Sequence, residues 1–318
     1  RKLDYDAYKK RFEASVNDDI YQPTDAYYNV LFAYEAKRVA QDTVDKYQLF
    51  YNQARAFYTT GMNPKVDVTI AETNLSSAKL KLIQAENAVN LAIAKLNNVM
   101  GVPYIERYDV LDRLQYKPIN LTFEQAIDTA RDSRPELKLA EIRVEGTNQT
   151  VKLTKKSYFP TISLEGQYQR GGKSWNSNYG YNFGAYLTFP SINAMLIRNE
   201  IKEAKYLYDK ELANARNTQN AIYLEIQNAY LQLEEKRNQL PVAILQVKQA
   251  KENYELSYGR YRVGEASPTE LKDAENSYEQ AQLTYYTALY EYNSAKALLE
   301  KSIGKNIVDD DDIVEMEP

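Results

Sequence analysis

The chain repeats itself at a fixed offset, and that repeat limits what it can fold into more than any other feature. Shifting the sequence by 203 positions lays Gly61 on Gly264 and Gly101 on Gly304 with no gap between the two pairs. The same shift lays Lys2 on Lys205, Tyr5 on Tyr208, Asp6 on Asp209, Ala26 on Ala229, Tyr27 on Tyr230 and Ala40 on Ala243. It continues through Val44 and Val247, Tyr51 and Tyr254, Tyr58 and Tyr261, Glu72 and Glu275, to Leu96 and Leu299. Matches on alanine alone are cheap, but an unbroken register over roughly a hundred residues marks a duplicated supersecondary unit.

Within each copy the apolar residues step alternately by three and four, the spacing of a left-handed coiled coil. After the second turn the seam is Leu271, Ala274, Tyr278, Ala281, Tyr285, Ala288, Tyr292, Ala295 and Leu299. After the first it is Val68, Ala71, Leu75, Ala78, Leu82, Ala85, Val89, Ala92 and Leu96. The helices before the turns match, with Ala243, Val247, Ala250, Tyr254, Ser257 and Tyr261 in one copy and Ala40, Val44, Tyr47, Tyr51, Ala54 and Tyr58 in the other. In the return helices alanine alternates with large residues. Small side chains let two helix axes approach, and large ones fill the gaps between.

Turn chemistry separates the helices. Gly264 ends one, and Ser267-Pro268-Thr269-Glu270 opens the next, with Ser267 as N-cap, Pro268 at the first helical position and Glu270 closing a capping box. Asn63-Pro64 is expected to do the same after Gly61, and Gly101 and Gly304 end the return helices. A helix from Asn193 to Val263 would be ~105 Å long, and its return from Pro268 to Ile303 ~54 Å, at 1.5 Å per residue. Pro241 is expected to kink the long helix without ending it. Such lengths exceed any compact core, so the helices must pack beside others in this chain or in neighbouring subunits.

A different segment joins the copies. Leu121–Ser133 reads as a short amphipathic helix, and Pro135 opens another that runs to about Tyr158. The period then changes to two. Ile162, Leu164, Gly166 and Tyr168 alternate with polar residues over Thr161–Arg170, and Phe183, Ala185, Leu187 and Phe189 do so over Asn182–Phe189. Each run is close to the ~9–11 residues of a tilted membrane strand. Gly171 to Tyr181 reads as a polar, aromatic loop between them. A soluble strand pair covering a helix fits the same pattern. A lone hairpin is marginal in water and unworkable in lipid unless its edges are closed, so the membrane reading requires oligomerisation.

Composition narrows the function classes. With no His and no Cys, the chain lacks the usual near-neutral acid–base group, a thiol nucleophile, disulfides and the commonest metal ligands. It also lacks a glycine-rich phosphate loop, which argues against a helical enzyme. A net charge of −4 argues against nucleic acid as a partner. The 29 tyrosines, against 8 Phe and 1 Trp, suit interfaces and water-lined surfaces, because each joins an apolar ring to a wettable tip. Mean hydropathy is −0.62, and no run approaches the ~18 apolar residues of a membrane-spanning helix. Asp309-Asp310-Asp311-Asp312 reads as a solvated, disordered run, without the glycine and ligand spacing of a calcium loop. A soluble coiled-coil scaffold or spacer would explain the heptads but not the alternating strands.

The order of these parts resembles the TolC-like outer-membrane efflux family, the outer-membrane factors of tripartite efflux and type I secretion systems. The likeness is carried by Arg134-Pro135-Glu136-Leu137, by Tyr158-Phe159-Pro160-Thr161-Ile162-Ser163-Leu164, by Tyr261 to Leu271 at the turn, and by Ala297 to Gly304. It covers nearly the whole chain up to about Lys305. The resemblance implies a mainly α fold in which duplicated antiparallel coiled-coil hairpins form part of a trimeric α-barrel tunnel. A membrane β-hairpin would contribute to a trimeric β-barrel, four strands from each protomer and twelve in all. It implies a passive exit duct in the outer membrane of a Gram-negative-type bacterium, most of it in the periplasm, with no catalysis, cofactor or metal. The implied partners are a periplasmic adaptor (membrane fusion) protein, an inner-membrane pump of RND, ABC or MFS type, and outer-membrane lipid.

On this resemblance residues 1–102 are the first helical hairpin, 103–136 a connecting equatorial segment, 137–304 the second repeat and 305–318 the tail. The second repeat would hold the strand pair at about 161–189 and the long hairpin 193–304. Residue 1 falls on Ala204, inside the long helix of the second copy, so the first copy's leading helix and strands, with any signal peptide or lipidated cysteine, are expected upstream. Three copies of the chain as given would supply six strands. Glu270 and Asp273 match acids that line the narrowest part of the pore, and Tyr261 and Asp67 match an inter-helix link that holds the tip closed. Glu270 and Asp67 also suit the first turn of any helix, where acids favour the macrodipole, and Tyr261 is a seam residue in its own right. Gly61, Gly264, Val263 and Ser267 form tip turns for adaptor contact, and Ile162, Leu164, Tyr168, Phe183, Leu187 and Phe189 the membrane strands.

Overall fold

Seen in a computed structural model that describes residues 2–62, 64–103, 114–171, 179–189 and 194–304, the helices keep the register of the repeat. Helix α1 runs over Lys2–Thr59, α2 over Lys65–Met100, α3 over Phe123–Ser133, α4 over Pro135–Lys155, α5 over Ala194–Arg262 and α6 over Pro268–Ile303. Every boundary around the turns recurs 203 positions on: Thr59 with Arg262, Lys65 with Pro268, Met100 with Ile303. The 69 residues of α5 run unbroken through Pro241, as the 58 of α1 do through Pro23. Much of the Gly171–Tyr181 stretch and the whole acidic tail lie outside the described residues.

The turns explain why the boundaries agree. Gly61 and Gly264 sit at φ 77° and 79°, a left-handed conformation that costs glycine nothing and a side chain roughly 1–2 kcal/mol. The Gly61 N–H donates to the Tyr58 carbonyl at 3.0 Å and the Met62 N–H to Phe57 at 2.8 Å. Gly264 and Glu265 repeat this on Tyr261 and Arg260 at 3.1 and 2.9 Å, which is the Schellman closure of a helix end in both copies. The starts of the return helices differ. Ser267 caps α6, its hydroxyl accepting from the Glu270 N–H at 3.1 Å. At the matching position of α2 stands Pro64, with no side-chain cap, so the expectation that Asn63-Pro64 works as Ser267-Pro268 does is corrected; Asn63 itself lies outside the described residues.

The chain divides into two units, residues 1–13 with 135–221 and residues 14–134 with 222–318. In the second unit the predicted seams are the core. All nine seam positions of α6 are buried except Tyr278, which is half-buried; on α2 six are buried, and Val68, Leu82 and Ala85 are half-buried. One cluster joins Leu31 of α1 to Leu240, Ala243 and Val247 of α5 and to Ala281, Tyr285 and Ala288 of α6. A second joins Val44, Tyr47 and Phe50 to Leu75, Ala78, Tyr261 and Leu271, and a third packs Ala26, Val30 and Ala33 against Val89, Ala92 and Leu96. α6 therefore has neighbours on several sides, while α2 leaves Leu80, Ile83 and Leu91 exposed.

Two ties hold the connecting segment. Tyr292 donates its hydroxyl to the Lys117 carbonyl at 3.0 Å, and the Asn293 amide donates to Gln115 at the same distance. Arg134, buried where α3 ends, donates to the Lys301 carbonyl at 3.0 Å and pairs with Glu225 of α5 at 2.8 Å. Arg134 thus satisfies an end carbonyl of α6, and its side chain lies against Gly304, where an added Cβ would meet the Arg134 Cδ at 3.3 Å. α3 itself opens on a full capping box between Thr122 and Gln125.

In the first unit β1 (Thr161–Arg170) pairs antiparallel with β2 (Tyr179–Thr188). β2 begins three residues before the expected run and stops one short of Phe189. Tyr179-Gly180-Tyr181 pair with Arg170, Gln169 and Tyr168 rather than lying in the loop, and the Tyr168 and Tyr181 rings meet at 5.4 Å. An aromatic cross-strand contact of this kind outweighs the turn preference of one glycine.

Ala281 shows no exposed surface within the α1–α5–α6 cluster. Ala281→Leu is expected to cost about 1–3 kcal/mol through overpacking and to lower the midpoint of a thermal melt followed by circular dichroism. An unchanged midpoint would mean that the seam has room for a larger residue.

Candidate functional site

The three acids and one tyrosine expected at the gate gather near the two turns, but not in one contact. Asp67 lies in the first turn of α2 and Glu270 at the same position of α6. Tyr261 is buried at 4% exposure in the cluster of Val44, Phe50 and Leu271, with the Phe57 ring 6.5 Å away. Burial, and after it the charge of Asp67, push its hydroxyl pKa up. Among the described residues no hydrogen bond joins Tyr261 to Asp67, so their link is through space. Tyr58, the repeat counterpart of Tyr261, is 46% exposed.

Glu270 carries a partner that the sequence did not announce. Arg260, one turn before Gly264, donates to its carboxylate and also to the Glu265 carbonyl at 3.3 Å. The carboxylate is turned across the loop, and of the expected capping box only the Ser267 half is made. Asp273, one turn further along α6, is exposed, and among the described residues no cation pairs with its carboxylate. Val263 is exposed beside Gly264, so the turn offers an apolar tip over a backbone already satisfied within itself.

Away from the turns, a charged layer that sequence reasoning missed joins the two repeats. Glu275 of α6 has 0% exposure and receives Lys46 of α1 at 3.1 Å. The Lys46 ammonium lies 4.9 Å from the Tyr254 ring centroid and 4.4 Å from that of Tyr278, and the two rings stack at 5.7 Å. Two aromatic faces and a carboxylate replace the water the ammonium gives up. One helical turn on, Lys81 of α2 holds both oxygens of Glu279 at 2.9 and 2.7 Å. Further along, Arg38 donates to the Tyr286 hydroxyl and pairs with Glu35 at 2.8 Å. Burial holds the Glu275 carboxyl above its ordinary range; Lys46 opposes this, while Glu279 and Asp42 add to it. Burial, then the charge of Glu275, also raises the Tyr254 and Tyr278 hydroxyls. The only hint in sequence was a glutamate sitting between seam positions Ala274 and Tyr278.

The strand pair places its expected residues on one face. The register sets Ile162 opposite Leu187, Leu164 opposite Ala185, Gly166 opposite Phe183 and Tyr168 opposite Tyr181, so the two apolar series coincide. All of that face is exposed, Phe183 at 86%, and Phe189 just beyond the strand is exposed too. The Phe183 ring covers Gly166, where an added Cβ would meet it at 3.2 Å. Glu165, Gln167 and Asn182 lie on the opposite, polar face. Among the described residues no helix is long and apolar enough to cross a membrane.

Duplicated coiled-coil hairpins combined with a strand pair whose apolar face is uncovered define a class of long-helix folds. The profile of the outer membrane efflux protein family matches residues 4–102 and 126–305, and the chain belongs to that family. It is 22% identical over 289 residues to toxin and drug export protein A of Aggregatibacter actinomycetemcomitans, a match covering 87% of this chain and 62% of that protein. It is 21% identical over 257 residues to the probable efflux pump outer membrane protein TtgC of Pseudomonas putida, covering 77% of this chain and 52% of the relative. The chain thus spans between half and two thirds of the length of these relatives. It shares its fold with the open state of the Neisseria gonorrhoeae MtrE outer membrane channel at a TM-score of 0.78 and 20% identity, over 96% of this chain and 70% of that one.

Lys46→Met leaves the Glu275 carboxylate buried without its counter-charge, an omission expected to cost about 3–5 kcal/mol at neutral pH. The folded chain holds the Glu275 proton at a pH where the unfolded chain has released it. The penalty is therefore full above the raised folded pKa and vanishes below the ordinary carboxylate range. Thermal melts of both proteins should show the gap closing from neutral to mildly acidic pH; a gap that stays constant would assign the loss to packing.

Proposed function

We propose that the chain is part of a passive exit duct in the outer membrane of a Gram-negative-type bacterium, with most of its length in the periplasm. The duct exports small molecules or proteins delivered by an inner-membrane pump of RND, ABC or MFS type through a periplasmic adaptor, and it performs no catalysis. The observation that carries this reading is the pairing of two like-built hairpins, each closed by a glycine turn, with a ten-residue strand pair whose whole apolar face is uncovered. Helices of this length suit a wall that crosses a wide aqueous space. A strand pair open at both edges is stable in lipid only when copies close it into a barrel. Family membership supports the same reading, as does the fold shared with outer-membrane channels. Three copies would bring the hairpins into one tunnel, with the turns at Gly61 and Gly264 at its periplasmic tip, where Val263 and Ser267 meet the adaptor.

At that tip Glu270 and Asp273 line the constriction, and Tyr261 and Asp67 hold neighbouring hairpins together. A ring of carboxylates concentrates cations and repels anions. Arg260 neutralises Glu270, so Asp273 supplies most of the field.

The full-length protein should enter the outer-membrane fraction and form cation-selective pores in planar bilayers. Asp273→Ala is expected to lower the cation preference and the block by multivalent cations more than Glu270→Ala does, and the double variant to abolish the block. A soluble protein without conductance would leave a coiled-coil spacer as the better reading. Pores that keep full selectivity in the double variant would place the constriction elsewhere.

A further inference from the structure

The two hairpins have like sequences but unlike surroundings, and the difference defines two complementary open faces. Along the internal joint, α1 and α2 present Glu35, Lys46 and Lys81 to α6, which answers with Glu275, Glu279 and Tyr286, and Val39 and Thr43, between Glu35 and Lys46 on α1, are buried. Moving these α1 and α2 residues by 203 positions gives Asn238, Val242, Gln246, Gln249 and Thr284 on α5 and α6. That face is open. Val39 is 2% exposed and Val242 66%, and a groove of ≈720 Å³ runs past Val242, Gln246 and Thr284. Moving the α6 residues back gives Glu72, Ser76 and Ile83 on α2, all exposed, Ile83 at 62%.

We infer that the α5–α6 groove seats the Glu72–Ser76–Ile83 face of α2 from a second copy of this chain, in a joint that lacks the charged latch of the internal one. The inference rests on the duct reading and deepens it by naming the surfaces between copies and their strength. A contact that uses one face as donor and a different face as acceptor is head-to-tail, the kind that closes into rings. The internal joint shows that the backbone geometry works, because α6 already lies against α1 and α2 in this way. The chemistry of the two joints differs. Where Lys46 meets Glu275, the second joint would bring Gln249 to Glu72; where Lys81 meets Glu279, it would bring Thr284 to Ser76; where Arg38 meets Tyr286, it would bring Pro241 to Ile83. Every charged contact of the internal layer has an uncharged or half-charged counterpart between copies.

A single substitution tests this, because Glu72 is already in place. Gln249→Lys would complete the missing pair and should raise, by several degrees, the temperature at which the membrane-extracted oligomer falls to monomer in dodecyl sulfate. Glu72→Gln added to Gln249→Lys should remove the gain. The absence of native cysteine allows a second, independent measurement: Ser76→Cys with Thr284→Cys should form covalent oligomers with a short bis-maleimide, and neither single variant should. A gain that survives Glu72→Gln, or a double-cysteine protein that yields only monomer or a cross-link to a different protein, would overturn the inference. If native mass shows an oligomer while those tests fail, only the seam is misplaced; if it shows a monomer, the duct reading falls with it.

Discussion

Helices this long have no interior of their own, and that constraint governs the rest of the molecule. A globular helix buries one stripe over a few turns, but α6 must find partners over 36 residues, and it does so against α1, α2 and α5. The alternation of alanine with tyrosine or leucine makes this possible. Alanines at 274, 281, 288 and 295 let the axes close in, while Tyr285, Tyr292 and Leu299 fill the space between. Burial this complete also encloses polar groups. Glu275, Glu279 and Asn293 lie on the same helix and would each be costly without a partner. Lys46, Lys81 and the Gln115 carbonyl are those partners, and the hydrophobic seam and the polar layer must be made together.

Duplication supplied one building block, and the fold gave its two copies different surroundings. Tyr261 is buried and Tyr58 is not; Glu275 is sealed from water and Glu72 faces it. The sequences around these pairs kept the turn glycines and the heptads, which every helical hairpin needs. They diverged where the neighbour differs, Lys46 against Gln249 and Lys81 against Thr284, and at one helix start, Ser267 against Pro64.

The strand pair works by a different economy. Its ladder is complete, its two apolar series share a face, and Phe183 shields Gly166, yet that face has no cover. Two strands cannot build a core, so a hairpin of this kind stays marginal until other strands close its edges. The helical part satisfies most of its own needs within the described residues, and the strands do not.

The local features were readable from sequence because their causes are local. Glycine at a left-handed φ, serine before proline at a helix start, steps of three and four, and a period of two each act within a few residues, and the helix ends, the seams and β1 follow from them. The errors were local competitions. Tyr179 to Tyr181 look like a loop until Tyr168 is placed opposite, and Pro64 looks like the first helical residue until the register puts it at the cap. Of the expected gate residues, position in the turns was legible, but the Arg260–Glu270 pair and the burial of Tyr261 beside an exposed Tyr58 were not. Lys46 with Glu275, Lys81 with Glu279 and Arg134 with Glu225 were illegible for the same reason. Sequence periodicity says which face of a helix is covered. Only tertiary structure decides which distant charge arrives there, because that depends on the relative height and rotation of helices whose paired residues lie 91 to 229 positions apart along the chain.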